Sequence, residues 1–119
     1  METDLKALTR EVFLSFWKVH ILHHAGEGPL VGQWMLQELR HHGYEVSPGT
    51  MYPLLRRMER NGWLRGESGS NSPKARREYR LTSRGRVVLK QIREQLDELQ
   101  RELSPRTHRC DGTTRRTTT

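Results

Sequence analysis

The stretch SPGTMYPLLRRMER, residues 47–60, decides the fold, because it predicts a short helix with two different faces. Four apolar residues follow the helical spacing i, i+3, i+4 and i+7 and form one stripe: Met51, Leu54, Leu55 and Met58. The opposite side carries arginines, with a phenol and a hydroxyl beside them. A small domain could hold such a helix by its apolar side and place the other side in a DNA major groove. An ordinary surface helix with a solvated basic side is the alternative.

The start and end of this helix are marked in the sequence. Ser47 is a predicted N-cap and Pro48 suits the first helical position, where its missing N–H costs nothing. Pro53 falls inside the predicted helix, so the helix either starts late, near Tyr52, or has a kinked or wide first turn, which we favour. Gly62 can take a positive φ and end the helix.

After Gly62 the helical spacing of apolar residues gives way to the alternation typical of strands. Two strands are predicted, at residues 63–67 and 76–81, joined by a Ser- and Gly-rich turn that ends in positive charge. Three helices followed by such a hairpin predict a winged helix-turn-helix, a mainly α fold with a small β-hairpin, over residues 1–82. Lys74, Arg76 and Arg77 in this wing are predicted to contact phosphates or the minor groove.

Two helices precede the two-faced one. The first is predicted from Thr3 or Asp4 to about His24, with two adjacent apolar lines that indicate more than one covering neighbour. The second is predicted at residues 30–41, and Gly43 stops it.

A fourth helix is predicted over residues 83–104, with Thr82 as its cap. Along it, apolar residues recur at spacings of 3, 4, 3 and 4, the pattern of a coiled-coil seam: Leu89, Ile92, Leu96, Leu99 and Leu103. We expect this seam to pack on the same helix of a second subunit, with the first helix in the dimer contact. The alternative is a helix folded back on its own first helix. Residues 105–119 are predicted to be a disordered basic tail.

The distribution of charge favours a polyanionic partner. The 119 residues carry a net charge of +7, and residues 47–82 alone carry +5. The sole cysteine, Cys110, lies in the polar tail, and no 18-residue apolar segment exists, so we expect a cytoplasmic, nucleoid-associated protein. An enzyme is poorly supported, because no nucleophile stands beside a likely base and no Gly-rich loop could cradle a phosphate.

Three segments together resemble the PadR-type transcriptional regulators. Residues 43–55, GYEVSPGTMYPLL, are similar to that family's signature, as are residues 74–82, KARREYRLT, and the Gly28-Pro29-Leu30-x-Gly32 entry to the second helix. The resemblance covers about residues 10–103. Gln33 departs from the family's usual Tyr, Ser72-Pro73-Lys74 replaces its usual Gly-Arg-Pro, and the longer C-terminal helical region of some members is missing.

The resemblance implies a bacterial repressor that binds double-stranded DNA as a dimer, at a palindromic operator. It also implies that a small aromatic molecule can release the repressor from DNA. It implies that Ser47, Thr50, Tyr52 and Pro53 face DNA. The helical wheel, rather than the family, adds a group of arginines: Arg56, Arg57 and Arg60. Of these, Arg56 or Arg57 could make a bidentate guanine contact, while Thr50 and Tyr52 suit phosphates.

Two further clusters have competing interpretations. Phe13, Phe16 and Trp17 could line an effector pocket at a dimer interface, although aromatic residues at helical spacing more often fill a core. His20 and His24 have an i, i+4 spacing that can bind a metal, but no matching ligands accompany them, so no metal site and no cofactor are predicted.

Three classes of function remain open: a sequence-specific repressor, which we favour, a non-specific or architectural DNA-binding protein, and a winged helix that binds an acidic protein partner.

Overall fold

The structure is a computed structural model that describes residues 2–68 and 77–105. Its elements run in the order α1 (Glu2–Glu27), β1 (Leu30–Val31), α2 (Gly32–His41), α3 (Pro48–Arg60), β2 (Leu64–Ser68), β3 (Arg77–Leu81) and α4 (Ser83–Leu103). The chain divides into two compact units, Met1–Leu89 and Lys90–Thr119. The predicted disordered tail lies outside the described residues, apart from Pro105 at its start.

The first unit is built around the apolar stripe of α3. Met51, Leu54 and Leu55 have no exposed surface, and Met58 is 1% exposed. The other core residues come from every remaining element of the unit, among them Ile21 of α1 and Leu39 of α2. Because burying such side chains contributes about 1.5–3 kcal/mol each, this stripe fixes which side of α3 faces inward.

The sheet is antiparallel with the strand order β1-β3-β2. β2 and β3 form the predicted hairpin, in which Leu64 pairs with Leu81 and Ser68 with Arg77. Tyr79 and Leu81 are buried, as the alternation of the sequence predicted. The third strand, β1, was not predicted: Leu30 pairs with Tyr79 and Val31 with Glu78. A strand of two residues is too short to show a period in sequence.

The helix boundaries follow most of the predicted signals, with three differences. α1 begins at Glu2 and not after Thr3 or Asp4. α2 begins at Gly32 and not at Leu30, because Leu30 and Val31 form β1. α1 continues to Glu27, about one turn past the predicted end at His24. Gly26 lies within this last turn, and a side chain there would come within 3.0 Å of Leu81. This glycine therefore allows close packing on β3 and does not mark the end of the helix.

α3 begins at Pro48, as predicted, and continues as one helix through Pro53, so the less favoured alternative of a late start near Tyr52 is wrong. Arg40 of α2 donates to the Val46 carbonyl at 3.2 Å and thereby holds the segment that leads into α3. Gly43 and Gly62, which follow α2 and α3, have φ values of 96° and 86°. Both helices thus end where a residue without Cβ can turn the chain.

Thr82 joins the end of α3 to the start of α4. Its hydroxyl accepts from the Gly85 N–H at 2.9 Å, which is the predicted N-cap bond, and donates to the Gly62 carbonyl at 2.6 Å. The first turns of α4 are in the first unit and include the buried Leu89.

In the second unit, the apolar seam of α4 becomes more exposed toward its end. Ile92 and Leu96 are half-buried, whereas Leu99 is 49% and Leu103 70% exposed.

Candidate nucleic-acid interface

The outer face of α3 presents the residues that the helical wheel placed there. Arg56, Arg57 and Arg60 are exposed, and so is Pro53. The inner face of the same helix is fully buried, so these guanidinium groups are carried on a rigid element. A helix held in this way can offer cationic hydrogen-bond donors to a groove without reordering its backbone.

The first turn of α3 carries hydroxyl groups. Ser47 occupies the N-cap position, but its side chain makes no capping bond and donates to the Thr50 hydroxyl at 3.4 Å. The Ser47 carbonyl accepts from the Thr50 and Met51 N–H groups at 3.0 Å. Ser47 is exposed and Thr50 half-buried, so both hydroxyls lie at the edge of the arginine face.

Tyr52 has both a packing contact and an exposed surface. Its side chain is 38% exposed, and its ring lies against Gly32 at the start of α2, where an added Cβ would come within 2.5 Å of the ring. Gly32 therefore permits the close approach that fixes the Tyr52 ring beside the exposed arginines.

A carboxylate links the wing to α3. Glu59 accepts from the Arg77 guanidinium at 2.8 Å (Nη2 to Oε2) and 3.4 Å (Nε to Oε1). It also accepts from the Gly66 N–H at 3.3 Å. At Gly66 an added Cβ would lie 2.5 Å from Arg77 Nε and 3.0 Å from Glu59 Oε1, so the glycine gives this pair the room it occupies above the strand.

The ionisation of this cluster follows from these contacts. The pKa of Glu59 lies below its ordinary value, chiefly because Arg77 donates to it. The same hydrogen bond raises the pKa of Arg77. Burial, followed by the charge of Glu59, raises the pKa of the neighbouring Tyr79. The pair is therefore a carboxylate and a guanidinium at neutral pH.

Sequence reasoning missed the role of Glu59. Its only signal was an acidic residue inside an arginine-rich run, and its partner lies 18 residues further along the chain. Arg77, which we predicted as a DNA contact, thus has Glu59 as its partner within the chain. The other two predicted wing contacts, Lys74 and Arg76, lie outside the described residues.

The predicted effector residues separate into two groups. Phe13 and Trp17 meet at 6.4 Å between ring centroids, and both face Tyr44 edge-on, at 5.2 and 5.9 Å. Trp17 is buried, and its indole N–H has no hydrogen-bond partner among the described residues. Phe16, by contrast, is exposed and makes none of these ring contacts among the residues described.

The end of α1 carries the groups that could hold a metal. His23, His24 and Glu27 offer ligand atoms that all lie within 4.8 Å of one another. The i, i+4 pair noted in the sequence, His20 and His24, instead has stacked rings with centroids 6.3 Å apart.

Comparison with known proteins identifies the family. The model of the transcriptional regulator PadR-like family matches residues 21–91, which include α2, α3 and the described strands. The chain belongs to the PadR-like family of transcriptional regulators. This family consists of regulators, which confirms that the chain is not an enzyme.

Relatives cover most of this PadR-like chain. It is 49% identical over 86 residues to the transcriptional regulator Rv3488 of Mycobacterium tuberculosis. The aligned residues make up 72% of this chain and 80% of that protein. The PadR family regulator of Eggerthella lenta has a similar structure, with a TM-score of 0.70 at 28% identity over 82% of this chain and 87% of that one. A transcriptional regulator of Clostridium thermocellum shares the fold. Its TM-score is 0.71 at 24% identity, over 82% of this chain and 99% of that one.

The winged-helix prediction is therefore confirmed by fold and family together. In the described ranges, 2–68 and 77–105, none of the helices combines the length and hydropathy needed to span a bilayer.

Proposed function

We propose that this PadR-like regulator is a cytoplasmic, sequence-specific repressor that binds a palindromic operator as a homodimer. The observation that carries the proposal is the pair of faces of α3: a completely buried apolar stripe and an exposed side with Arg56, Arg57 and Arg60. Base contacts give specificity and phosphate contacts give position, and this helix has groups for both.

Arg56 and Arg57 are proposed to read bases, because a guanidinium can donate two hydrogen bonds to one guanine. Ser47, Thr50 and Tyr52 are proposed to contact phosphates at the groove edge. Pro53 lies on the same face and would pack against the duplex. Lys74 and Arg76 are proposed to contact the backbone beside the helix.

Dimerisation is supported by apolar surface that one chain leaves exposed. Leu99 and Leu103 continue the seam of Leu89, Ile92 and Leu96 to the end of α4. On α1, a further set of apolar residues is exposed along the predicted dimer face: Leu5, Leu8, Val12 and Phe16. Burying apolar surface contributes about 25 cal/mol per Å² of favourable free energy, so contact of these residues with a second copy is favoured over contact with water.

Release by a small aromatic ligand is supported by the contacts of Trp17. A buried indole N–H without an acceptor is costly, and a ligand with a phenol or carbonyl oxygen could supply that acceptor. Phe13 and Tyr44 would stack on its ring. Burial, followed by the charge of the nearby His42, lowers the pKa of His20 below its ordinary value, which favours the neutral form of the imidazole beside Tyr44.

The proposal is tested by selecting the fragments of genomic DNA that the full chain binds. The selected duplex and a shuffled duplex of equal length are then titrated at several salt concentrations. A specific regulator prefers the selected duplex by about 10³-fold or more at physiological salt. Equal, strongly salt-dependent affinity for both duplexes would favour the architectural alternative, and no salt-dependent binding would favour a protein partner.

Arg56→Gln and Arg101→Gln form a matched pair for this titration. Each removes one exposed guanidinium, but Arg101 lies on α4 in an ion pair with Glu98. Only Arg56→Gln is expected to reduce the preference for the selected duplex.

A further inference from the structure

Histidines from α1 and the α2–α3 connection gather on one side of the first unit. His20 and His42 have ring centroids 5.0 Å apart, and His23 and His24 have centroids 4.9 Å apart. Two carboxylates lie among these rings: Glu27 in the last turn of α1 and Glu38 of α2. The proposed DNA contacts use none of these groups.

His24 connects the two carboxylates. Its Nδ1 lies 3.3 Å from Glu27 Oε1, and its Nε2 lies 3.9 Å from Glu38 Oε2. The second oxygen of Glu27 lies 3.2 Å from His23 Nε2. One imidazole therefore has a carboxylate beside each nitrogen, and one of those carboxylates is shared with a second imidazole.

We propose that His23, His24 and Glu27 form a binding site for a divalent transition-metal ion of the zinc class. Two imidazoles and a carboxylate are a known zinc-binding set, with the fourth position left to water. Ligand atoms around a tetrahedral zinc ion at bonds of about 2.0–2.2 Å stand roughly 3.4 Å apart. Those of this cluster all lie within 4.8 Å of one another, so small side-chain rotations would close the site.

Glu38 is the positioning residue of this site. A metal-bound histidine usually donates its second ring N–H to a carboxylate, which fixes the tautomer and the ring orientation. Glu38 occupies that place for His24, with metal bound at Nδ1. His42, whose Nε2 lies 3.2 Å from the same Glu38 oxygen, holds the carboxylate from its other side.

The choice of metal follows from the donor atoms. Imidazole nitrogen suits Zn²⁺, Co²⁺ and Ni²⁺, whereas Mg²⁺ and Ca²⁺ require sites rich in oxygen. The alternative is that the imidazoles only form ion pairs with Glu27. That arrangement stabilises the helix without any preference for a metal.

The site is tested by titrating Zn²⁺ against a chromophoric chelator in the full chain carrying His108→Gln and Cys110→Ser, which remove two tail donors. One Zn²⁺ per chain is expected, with a raised Tm, and no effect from Mg²⁺. His23→Gln and Glu27→Gln should each abolish binding at micromolar Zn²⁺. Glu38→Gln should weaken it by about 10–100-fold.

His41→Gln is the matched control, because His41 is an exposed histidine whose one ring contact within residues 2–68 and 77–105 is with His42. It should leave Zn²⁺ affinity unchanged. The Tm of each variant is measured without metal to check that the fold is retained, which we expect because the side chains of His23 and Glu27 are 42% and 62% exposed. Zn²⁺ binding that survives His23→Gln and Glu27→Gln, or that falls equally with His41→Gln, would overturn the proposal, as would no binding at all.

Discussion

Glu59→Gln tests whether one carboxylate holds the wing against α3. The substitution keeps an oxygen that can accept from the Gly66 N–H but removes the charge that Arg77 contacts. The Arg77 and Glu59 side chains are 42% and 27% exposed, so solvent screens the pair only in part. Exposed ion pairs contribute about 0.2–1 kcal/mol, and this geometry belongs near the upper limit.

We therefore expect Glu59→Gln to lower the free energy of unfolding by about 1 kcal/mol. A double-mutant cycle with Arg77→Gln should give a coupling energy of about 0.5–1 kcal/mol. Urea denaturation at fixed protein concentration measures both quantities, since the stability of the proposed dimer would depend on concentration.

The pH dependence gives an independent check. Because the pKa of Glu59 is lower in the folded state, this carboxylate contributes fully to the free energy of unfolding at pH values above its unfolded-state pKa, ordinarily about 4.3. That contribution is lost as the pH falls through the folded-state pKa. The difference in the free energy of unfolding between wild type and Glu59→Gln should thus be constant from pH 6 to 8 and vanish in acid.

Arg65 and Glu67 provide the matched control for the cycle. Their side chains are 68% and 59% exposed and their charged atoms 3.6 Å apart, so their coupling should be close to zero. Equal coupling for the two pairs would refute the reasoning. So would a stability difference between wild type and Glu59→Gln that persists unchanged at pH 3.

Four further variants test DNA contact, assembly and stability. Arg56→Ala should cost about 1–3 kcal/mol of discrimination at one base position, whereas Lys74→Ala should weaken all sequences alike and reduce the salt slope by about 1; a changed sequence preference in Lys74→Ala would contradict these roles. Leu96→Asp should give monomers that lose operator binding. Sedimentation showing an intact dimer would contradict the proposal that the apolar seam of α4 forms the dimer contact. Gly32→Ala should lower stability by about 1–2 kcal/mol and weaken DNA binding, because the new methyl group displaces the Tyr52 ring; unchanged affinity would mean that this ring position is unimportant.

The sequence predicted those parts of the fold that depend on local chemistry. The spacing of Met51, Leu54, Leu55 and Met58 fixed the buried side of α3, and Ser47-Pro48 and Thr82 marked two helix starts, because caps and apolar periods act over a few residues. The hairpin followed from the alternation around Tyr79.

The features that the sequence did not predict depend on residues far apart in the chain. β1 exists because Leu30 meets Tyr79, 49 residues later, and no period can appear in two residues. The Glu59–Arg77 pair forms between α3 and β3, so in the sequence an acidic residue on a basic helix had no visible partner. His23 and Glu27 are an i, i+4 pair, but the role of Glu38 depends on how α2 packs against α1.

A structure of the full chain bound to its selected duplex would show whether the arginine face of α3 reads bases. We expect two copies on the duplex, with the Arg56 and Arg57 face of each α3 in successive major grooves about 34 Å apart. An α3 whose arginine face points away from the bases, or a single copy on the duplex, would contradict it.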